Sequence, residues 1–216
     1  MLLKNEITFP VEYVIRIFKG SYPRLNLDKK SFKGKKICDV GCGDGRNFVV
    51  LKQCGFGLYG VEINEQIVKR IDEHLRKIGV RADVRVGTNE QIPFQSSFFD
   101  YLLSWNACYY LGENLEFKSH VKEFARVLKP EGYLVLSIPK KTCFIYQGSE
   151  MRKKGYQVIR KDPFNVRNGE ILRMFKSEKE IEQEFSKYFK DFIFGSIEDD
   201  CFGLNYHWHM VICKKK

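Results

Sequence analysis

A glycine-rich turn and a carboxylate downstream of it are the residues of this 216-residue sequence best suited to chemistry. The turn runs from Asp39 to Gly45, reads DVGCGDG and follows a short apolar run; we call it the glycine turn. Glycines at such a turn let the backbone approach a ligand closely. Glu62 ends the next apolar run, where a carboxylate can accept hydrogen bonds from both hydroxyls of a ribose. Together they predict a ribose-binding site, although the turn alone also suits a dinucleotide fold.

Short apolar runs that alternate with amphipathic segments must position these residues. The runs at 35–40, 57–62, 84–86, 100–104 and 133–138 read as buried strands, and apolar residues at helical spacing lie between several of them. Such alternation predicts a parallel sheet with helices on both faces. Ligands bind such a sheet at the edge where its parallel strands end, which we call the carboxyl edge. Both the glycine turn and Glu62 fall at this edge.

Further landmarks make the sequence resemble the class I S-adenosylmethionine-dependent methyltransferases, in the broad group related to the ubiquinone-biosynthesis methyltransferases. They are Gly60-Val61-Glu62, Ile92-Pro93-Phe94 before Phe98-Phe99-Asp100, and the stretch from Arg126 to Gly132. The resemblance covers residues 36–138. It implies an α/β, Rossmann-like fold with a seven-stranded, mostly parallel sheet, helices on both faces and an antiparallel last strand. It also implies a methyltransferase that uses S-adenosylmethionine and releases S-adenosylhomocysteine.

The resemblance also assigns cofactor contacts to individual residues at the carboxyl edge. The glycine turn matches the part that faces the methionine moiety, Glu62 the ribose ligand, and Ile63 the apolar residue beside the adenine. In the adenine loop, from Gly87 to Glu90, the family commonly has Asp after the glycine, where this sequence has Thr88. Ser104 and Trp105 match the segment that runs past the transferred methyl. The predicted cofactor contacts are Asp39, Gly41, Cys42, Gly43, Glu62, Ile63, Thr88, Asn89, Glu90, Ser104 and Trp105.

Three side chains near the same edge are candidates for catalysis: Tyr109, Tyr110 and His207. Methyl transfer from a sulfonium is an in-line displacement in which the protein mainly positions the reactants. A general base is needed only when the acceptor is protonated at the moment of attack. The two tyrosines follow the fourth strand. The antiparallel last strand begins at the same edge, which places Asp199, Asp200, Tyr206 and His207 near the acceptor side. With four histidines and no accompanying ligand cluster, the sequence predicts no metal site.

The formal net charge of +10 is unevenly distributed along the chain. Its excess lies in residues 1–36 and 139–176, whereas residues 37–138 are close to neutral. We predict an N-terminal helical arm on the acceptor side (1–36), a cofactor-binding core (37–138), an insertion or lid over the active site (139–176), and a C-terminal helix with the last two strands (177–216). Within the insertion, Asn168-Gly169 predicts a hairpin turn between strands at 164–166 and 171–172.

Basic side chains of the insertion could face an anionic acceptor, such as a phosphorylated or nucleotide-linked metabolite, or could form a solvated face. They are Arg152, Lys153, Lys154, Arg160, Lys161, Arg167 and Arg173. A small anionic metabolite is the preferred acceptor. RNA or protein methylation and non-catalytic S-adenosylmethionine binding stay as alternatives. Methylation of nucleic-acid bases is disfavoured because residues 104–107 lack the Asn/Asp-Pro-Pro-Tyr/Phe motif of the amino-methyltransferases.

The cysteine content and the hydropathy of the sequence indicate the cellular compartment in which the protein is expected. Seven cysteines at scattered spacings predict free thiols in a reducing environment. No segment approaches the ~20 apolar residues of a membrane helix, and the N-terminus lacks an unbroken apolar signal region. We therefore expect a cytoplasmic protein without a membrane span, present as a monomer or homodimer.

Overall fold

Seven strands form the central sheet of the computed structural model, which describes residues 9–216. The α-helices of this part of the chain are α1 (Glu12–Lys19), α2 (Phe48–Gln53), α3 (Glu65–Lys77), α4 (Phe117–Val127) and α5 (Glu178–Phe185). Its strands are β1 (Lys36–Val40), β2 (Gly57–Glu62), β3 (Asp83–Val86), β4 (Phe99–Ser104), β5 (Tyr110–Leu111), β6 (Leu128–Pro139), β7 (Ser149–Lys153), β8 (Tyr156–Ile159), β9 (Ile171–Arg173), β10 (Phe189–Cys201) and β11 (Leu204–Lys215). Two short 3-10 turns lie at Lys29–Phe32 and Phe144–Tyr146.

The strand order of the large sheet is β10-β11-β6-β4-β1-β2-β3. Strands β3, β2, β1, β4 and β6 pair in parallel, and β11 runs antiparallel to both β6 and β10. Right-handed crossovers place α2 and α3 on one face and α4 on the other, because the strand order reverses after β3. The predicted seven-stranded, mostly parallel sheet with an antiparallel last strand is confirmed. None of the helices within residues 9–216 combines the length and the apolar composition that a membrane-spanning helix requires.

The central strands are apolar on both faces, as burial beneath two layers of helices requires. Ile37 of β1, Leu102 of β4 and Leu134 of β6 are fully buried. Helix α3 begins after Asn64, whose side-chain Oδ1 accepts a hydrogen bond from the Ile67 N–H at 2.9 Å. These elements bring the ends of β1, β2 and β4 together at the carboxyl edge.

The insertion forms most of a second sheet, with the strand order β5-β9-β8-β7. The predicted hairpin is wrong in its first strand, since β9 pairs with β8 and residues 160–170 form the loop between them. The Asp162 carboxylate accepts the Val166 N–H at 3.0 Å and so closes a local turn where a strand was expected. Phe164 and Val166 are exposed in that loop. Residues 1–8 of the predicted N-terminal arm lie outside the described residues.

Arg173 anchors the insertion to α5. Its buried guanidinium donates to the carboxylates of Glu180 at 3.0 Å and Glu184 at 3.1 Å, and to the Gly155 carbonyl oxygen at 3.1 Å. Arg173 therefore neither faces an acceptor nor belongs to a solvated face, the two alternatives that the sequence left open. The reason is that β9 carries it against α5, where two carboxylates compensate its charge.

Replacing Arg173 should destabilise the fold more than replacing an exposed arginine of the same insertion. We expect Arg173→Ala to lower the free energy of unfolding by about 3 kcal/mol, because it leaves two partly buried carboxylates unpaired. Arg160→Ala is the control, since its ion pair with Glu150 is exposed and should contribute less than about 1 kcal/mol. Urea unfolding measures both values. Equal losses in the two variants would contradict the anchoring role.

Candidate active site

Glu62 joins the end of β2 to the glycine turn. Its Oε1 accepts a hydrogen bond from the Gly43 N–H at 2.8 Å, and its Oε2 accepts one from the Ile63 N–H at 2.9 Å. An ionised carboxylate offers about four lone-pair positions, so about two positions remain for further donors. The residue is only 8% exposed. A ligand that uses these positions must therefore enter the cleft at the carboxyl edge.

Two glycines of the turn have different spatial roles. Gly41 has a φ of +71°, and a Cβ on it would lie 2.4 Å from the Cβ of Ala107. Gly43 has a φ of +62°, and apart from its chain neighbours no heavy atom of residues 9–216 comes within 4 Å of the position that its Cβ would take. Gly41 thus allows the turn to pack against the loop after β4, while Gly43 leaves open space beside the backbone.

Asp39 lies beneath the turn and is 1% exposed. Burial raises the pKa of its carboxyl group from 3.8 to about 7, although the Asn47 side chain opposes the shift by donating a hydrogen bond at 3.0 Å. The negative charges of Glu62 and Asp44 raise this pKa further. Asn47 also accepts the Val11 N–H at 3.1 Å. Asp39 is therefore connected through Asn47 to the segment that leads into α1.

The adenine loop is closed by a backbone hydrogen bond from the Thr88 N–H to the Gln91 carbonyl oxygen at 3.0 Å. The Asn89 side chain donates to the Ala107 carbonyl oxygen at 3.1 Å, and its buried Oδ1 has no hydrogen-bond partner within residues 9–216. Glu90 instead lies 3.3 Å from Nε2 of the buried His120. The structure thus turns Glu90 toward α4 and leaves Asn89 with an acceptor atom to satisfy.

The segment after β4 is held between β1 and β6. Ser104 is fully buried, and its hydroxyl donates to the Val40 carbonyl oxygen at 3.3 Å. Trp105 is 7% exposed. Asn106 has a φ of +59°, donates its N–H to Ser137 Oγ at 2.7 Å, and accepts the Ser137 hydroxyl at 2.9 Å. Ser104 accordingly ties two strands together, while Asn106 holds a strained conformation at the edge.

Tyr109 and Tyr110 stack with ring centroids 5.0 Å apart, but only Tyr110 is partly accessible. Burial raises the pKa of Tyr109 well above its ordinary value, and its hydroxyl has no hydrogen-bond partner in the described part of the chain. A phenol in this setting is poorly suited to act as a general base. The Tyr110 hydroxyl accepts a hydrogen bond from Arg167 Nε at 3.0 Å, and burial raises its pKa as well.

His207 points away from this cluster. Its Nδ1 lies 2.8 Å from Thr142 Oγ1, while Tyr206 and Trp208, its neighbours in β11, face the opposite side of the sheet. The Trp208 ring lies 5.8 Å from that of Tyr109. Burial raises the pKa of Tyr206, and hydrogen bonding with the Asn106 side chain opposes the shift. Tyr206 is therefore the residue at the start of β11 that approaches the cleft.

The sequence pattern of β11 favours Tyr206 over the predicted His207 for the face toward the cleft. Trp208, Met210 and Ile212 alternate with His207, His209 and Val211. A residue two positions from a large buried side chain shares its face, which places Tyr206 with Trp208. His209 is buried on the other face, where burial lowers its pKa to about 4.

Most of the basic side chains predicted to face the acceptor have other partners or are exposed. Lys153 pairs with Glu116, and Arg160 pairs with Glu150. Arg167 is different, because it contacts Tyr110 and donates to the buried Asp162 carboxylate at 3.0 Å. Within residues 9–216, no group of three His, Cys, Asp or Glu side chains is arranged to hold a metal ion. All seven cysteines, which lie in the described range, are free thiols.

Both the sequence and the fold of this chain are similar to those of known methyltransferases. Residues 38–136 match the sequence model of the family described as "Methyltransferase domain". A solved S-adenosylmethionine-dependent methyltransferase from Methanosarcina mazei superposes with a TM-score of 0.69 at 21% identity, over 90% of this chain and 98% of that chain. The match at residues 38–136 and the shared fold confirm the resemblance to class I S-adenosylmethionine-dependent methyltransferases and imply S-adenosylmethionine as the cofactor.

Two curated relatives carry more specific names. The chain is 26% identical over 144 residues to a ubiquinone biosynthesis O-methyltransferase from Dinoroseobacter shibae, covering 65% of this chain and 57% of the relative. It is 34% identical over 105 residues to a 2-methyl-6-phytyl-1,4-hydroquinone methyltransferase from Synechocystis sp., covering 48% and 32%. The chain thus spans about half the length, or less, of these two relatives.

The raised pKa of Asp39 should make the fold less stable as the pH rises. Between pH 3.8 and about 7 the folded protein keeps the proton of Asp39, whereas the unfolded chain loses it. The contribution of Asp39 is therefore fully present below pH 3.8 and is lost as the pH rises through about 7. Asp39→Asn should remove this loss, as measured by urea unfolding across that range. The half-exposed Asp83 supplies the control, since Asp83→Asn should keep the wild-type pH dependence; an unchanged dependence in Asp39→Asn would contradict the assignment.

Proposed function

We propose that this chain is an S-adenosylmethionine-dependent methyltransferase that transfers a methyl group to a small anionic metabolite. The observation that carries the proposal is the Glu62 carboxylate, held by the Gly43 and Ile63 amides next to the open space above Gly43. A cradle of this kind fits a nucleoside, because it combines free carboxylate lone pairs with close access to the backbone. The matching methyltransferase domain supports this use.

Each part of the cleft suits one part of the cofactor. Glu62 would accept hydrogen bonds from the ribose hydroxyls, and the exposed side chain of Ile63 would cover the adenine. The Asn89 Oδ1, which has no partner within residues 9–216, would accept a hydrogen bond from the adenine amino group, because Thr88 is a weaker acceptor than the Asp that the family commonly has at its position. The glycine turn would receive the methionine part. When bound, S-adenosylmethionine supplies an electrophilic methyl group on a positively charged sulfur.

On the side of the cleft where the acceptor would bind, the available groups are hydrogen-bond donors and the Arg167 cation rather than general bases. Arg167 donates to the Tyr110 oxygen, which leaves the Tyr110 proton free for an acceptor oxygen. An acceptor that arrives as an anion needs no general base, so high tyrosine pKa values are compatible with in-line displacement. These donors would orient the anion toward the methyl group.

The cofactor role is tested by calorimetric titration with S-adenosylmethionine. We expect Glu62→Gln to weaken binding about tenfold or more, because hydrogen bonds to a charged partner are lost. Gly43→Trp should abolish binding by filling the open space. The control is Glu65→Gln, an exposed residue three positions later in α3, which should bind as the wild type does. Wild-type affinity in Glu62→Gln, or no binding by the wild type, would contradict the proposal.

The acceptor class is tested with methyl-labelled cofactor against pooled metabolites and total RNA. We expect label in an anionic small molecule, and Arg167→Gln should raise the KM for it about tenfold while leaving cofactor affinity unchanged. Arg152→Gln, at an exposed position of β7, is the control and should leave the KM unchanged. Label only in RNA would favour the alternative function. An equal KM for Arg167→Gln would exclude the proposed recognition of the anion.

The proposed location is the reducing cytoplasm, which the seven free thiols support. Six of them are buried or half-buried, and Cys201 is exposed. Free thiols in this number are typical of proteins that never meet an oxidising compartment.

A further inference from the structure

A cleft that the cofactor site does not use lies between α1 and the paired strands β10 and β11. Its volume is about 310 Å³. Ile17 and Leu25 line it from the helix side, and Ile193, Met210 and Ile212 line it from the sheet. We call it the α1 cleft. None of the residues that line it belongs to β1, β2 or the glycine turn, so it is separate from the site around Glu62.

Gly195 keeps the floor of the α1 cleft deep. A Cβ on this residue would lie 2.8 Å from the Met210 Cε, the end of a side chain that also lines the cleft. Any larger side chain at position 195 would therefore project into the same space. Since β10 is an edge strand of the sheet, a residue here can be exchanged without disturbing the central strands.

The charged residues at the rim differ in how they are compensated. Glu12 accepts hydrogen bonds from Arg16 Nη2 at 2.6 Å and Nε at 3.0 Å, so the charge of Arg16 is paired. Arg24 also lines the cleft, is exposed, and forms no ion pair within residues 9–216. An apolar cavity with an unpaired guanidinium at its mouth has the composition of a site for an apolar anion.

We propose that the α1 cleft binds an amphiphilic carboxylate, with its apolar body among Ile17, Ile193 and Met210 and its carboxylate on Arg24. Because a water molecule occupies about 30 Å³, the volume of the α1 cleft equals that of about ten waters. This space suits an apolar group of roughly ten non-hydrogen atoms. Charge complementarity favours this ligand over a second copy of the chain, because two copies that covered each other's clefts would place two Arg24 guanidinium groups in one interface. The binding does not require methyl transfer, so it stands independently of the proposed function.

Calorimetry on the full chain with hexanoate, octanoate and decanoate tests the proposal. We expect one molecule per chain, with affinity that rises about fourfold for each added methylene as apolar surface is buried. Octylammonium should bind at least about tenfold more weakly than octanoate, because Arg24 repels it. Affinity that is independent of chain length, or equal for the two octyl compounds, would overturn the proposal.

Two variants locate the binding. Gly195→Leu should abolish decanoate binding by filling the cleft, and Arg24→Gln should remove the preference for octanoate over octylammonium. Both variants should bind S-adenosylmethionine as the wild type does, which shows that they are folded. Arg152→Gln, in β7 and outside the lining of the cleft, is the matched control for Arg24→Gln. Undiminished decanoate binding by Gly195→Leu, or a dimer that this variant dissociates in sedimentation, would overturn the proposal.

Discussion

The two hydrogen bonds that Glu62 accepts from the Gly43 and Ile63 amides connect the end of β2 to the glycine turn. Parallel pairing of β1 with β2 brings these groups to one edge, and Gly41 lets the turn close against Ala107. The carboxylate is then fixed before any ligand arrives, so ordering it adds little to the cost of binding. The rest of the site is arranged around this fixed charge, with the adenine loop on one side and the segment after β4 on the other.

Buried charges distinguish the two halves of the molecule. In the half that carries the glycine turn, Asp39 is buried with only an amide donor, and its pKa rises to about 7. In the insertion, Arg173 is buried with two carboxylates, which hold β9 against α5. The first arrangement is sensitive to pH, whereas the second is mainly structural. Arg167 is also paired with a carboxylate, that of the buried Asp162, and its Nε in addition donates a hydrogen bond to the Tyr110 hydroxyl.

Residues close together in sequence could be predicted, and those that meet through long-range pairing could not. The glycine turn and Glu62 belong to adjacent strand-to-helix connections, so local pattern places them together. The chemistry of a histidine favours His207 as a catalytic residue, but the alternation of side chains along β11 places Tyr206 rather than His207 on the face with Trp208. Arg173 was expected at the acceptor, yet its contacts depend on how β9 meets α5. The expected hairpin failed because an Asp162 side chain outcompeted strand pairing across residues 162–166.

The central claim is that Glu62 and the glycine turn form the cofactor cradle. It is tested most directly by the amide resonances of Gly43 and Ile63 in isotopically labelled protein as S-adenosylhomocysteine is added. Both amides donate to Glu62, so a ribose that binds this carboxylate should shift their resonances, and the Arg24 amide should stay unchanged. Shifts elsewhere at saturating ligand, with Gly43 and Ile63 unaffected, would contradict the account.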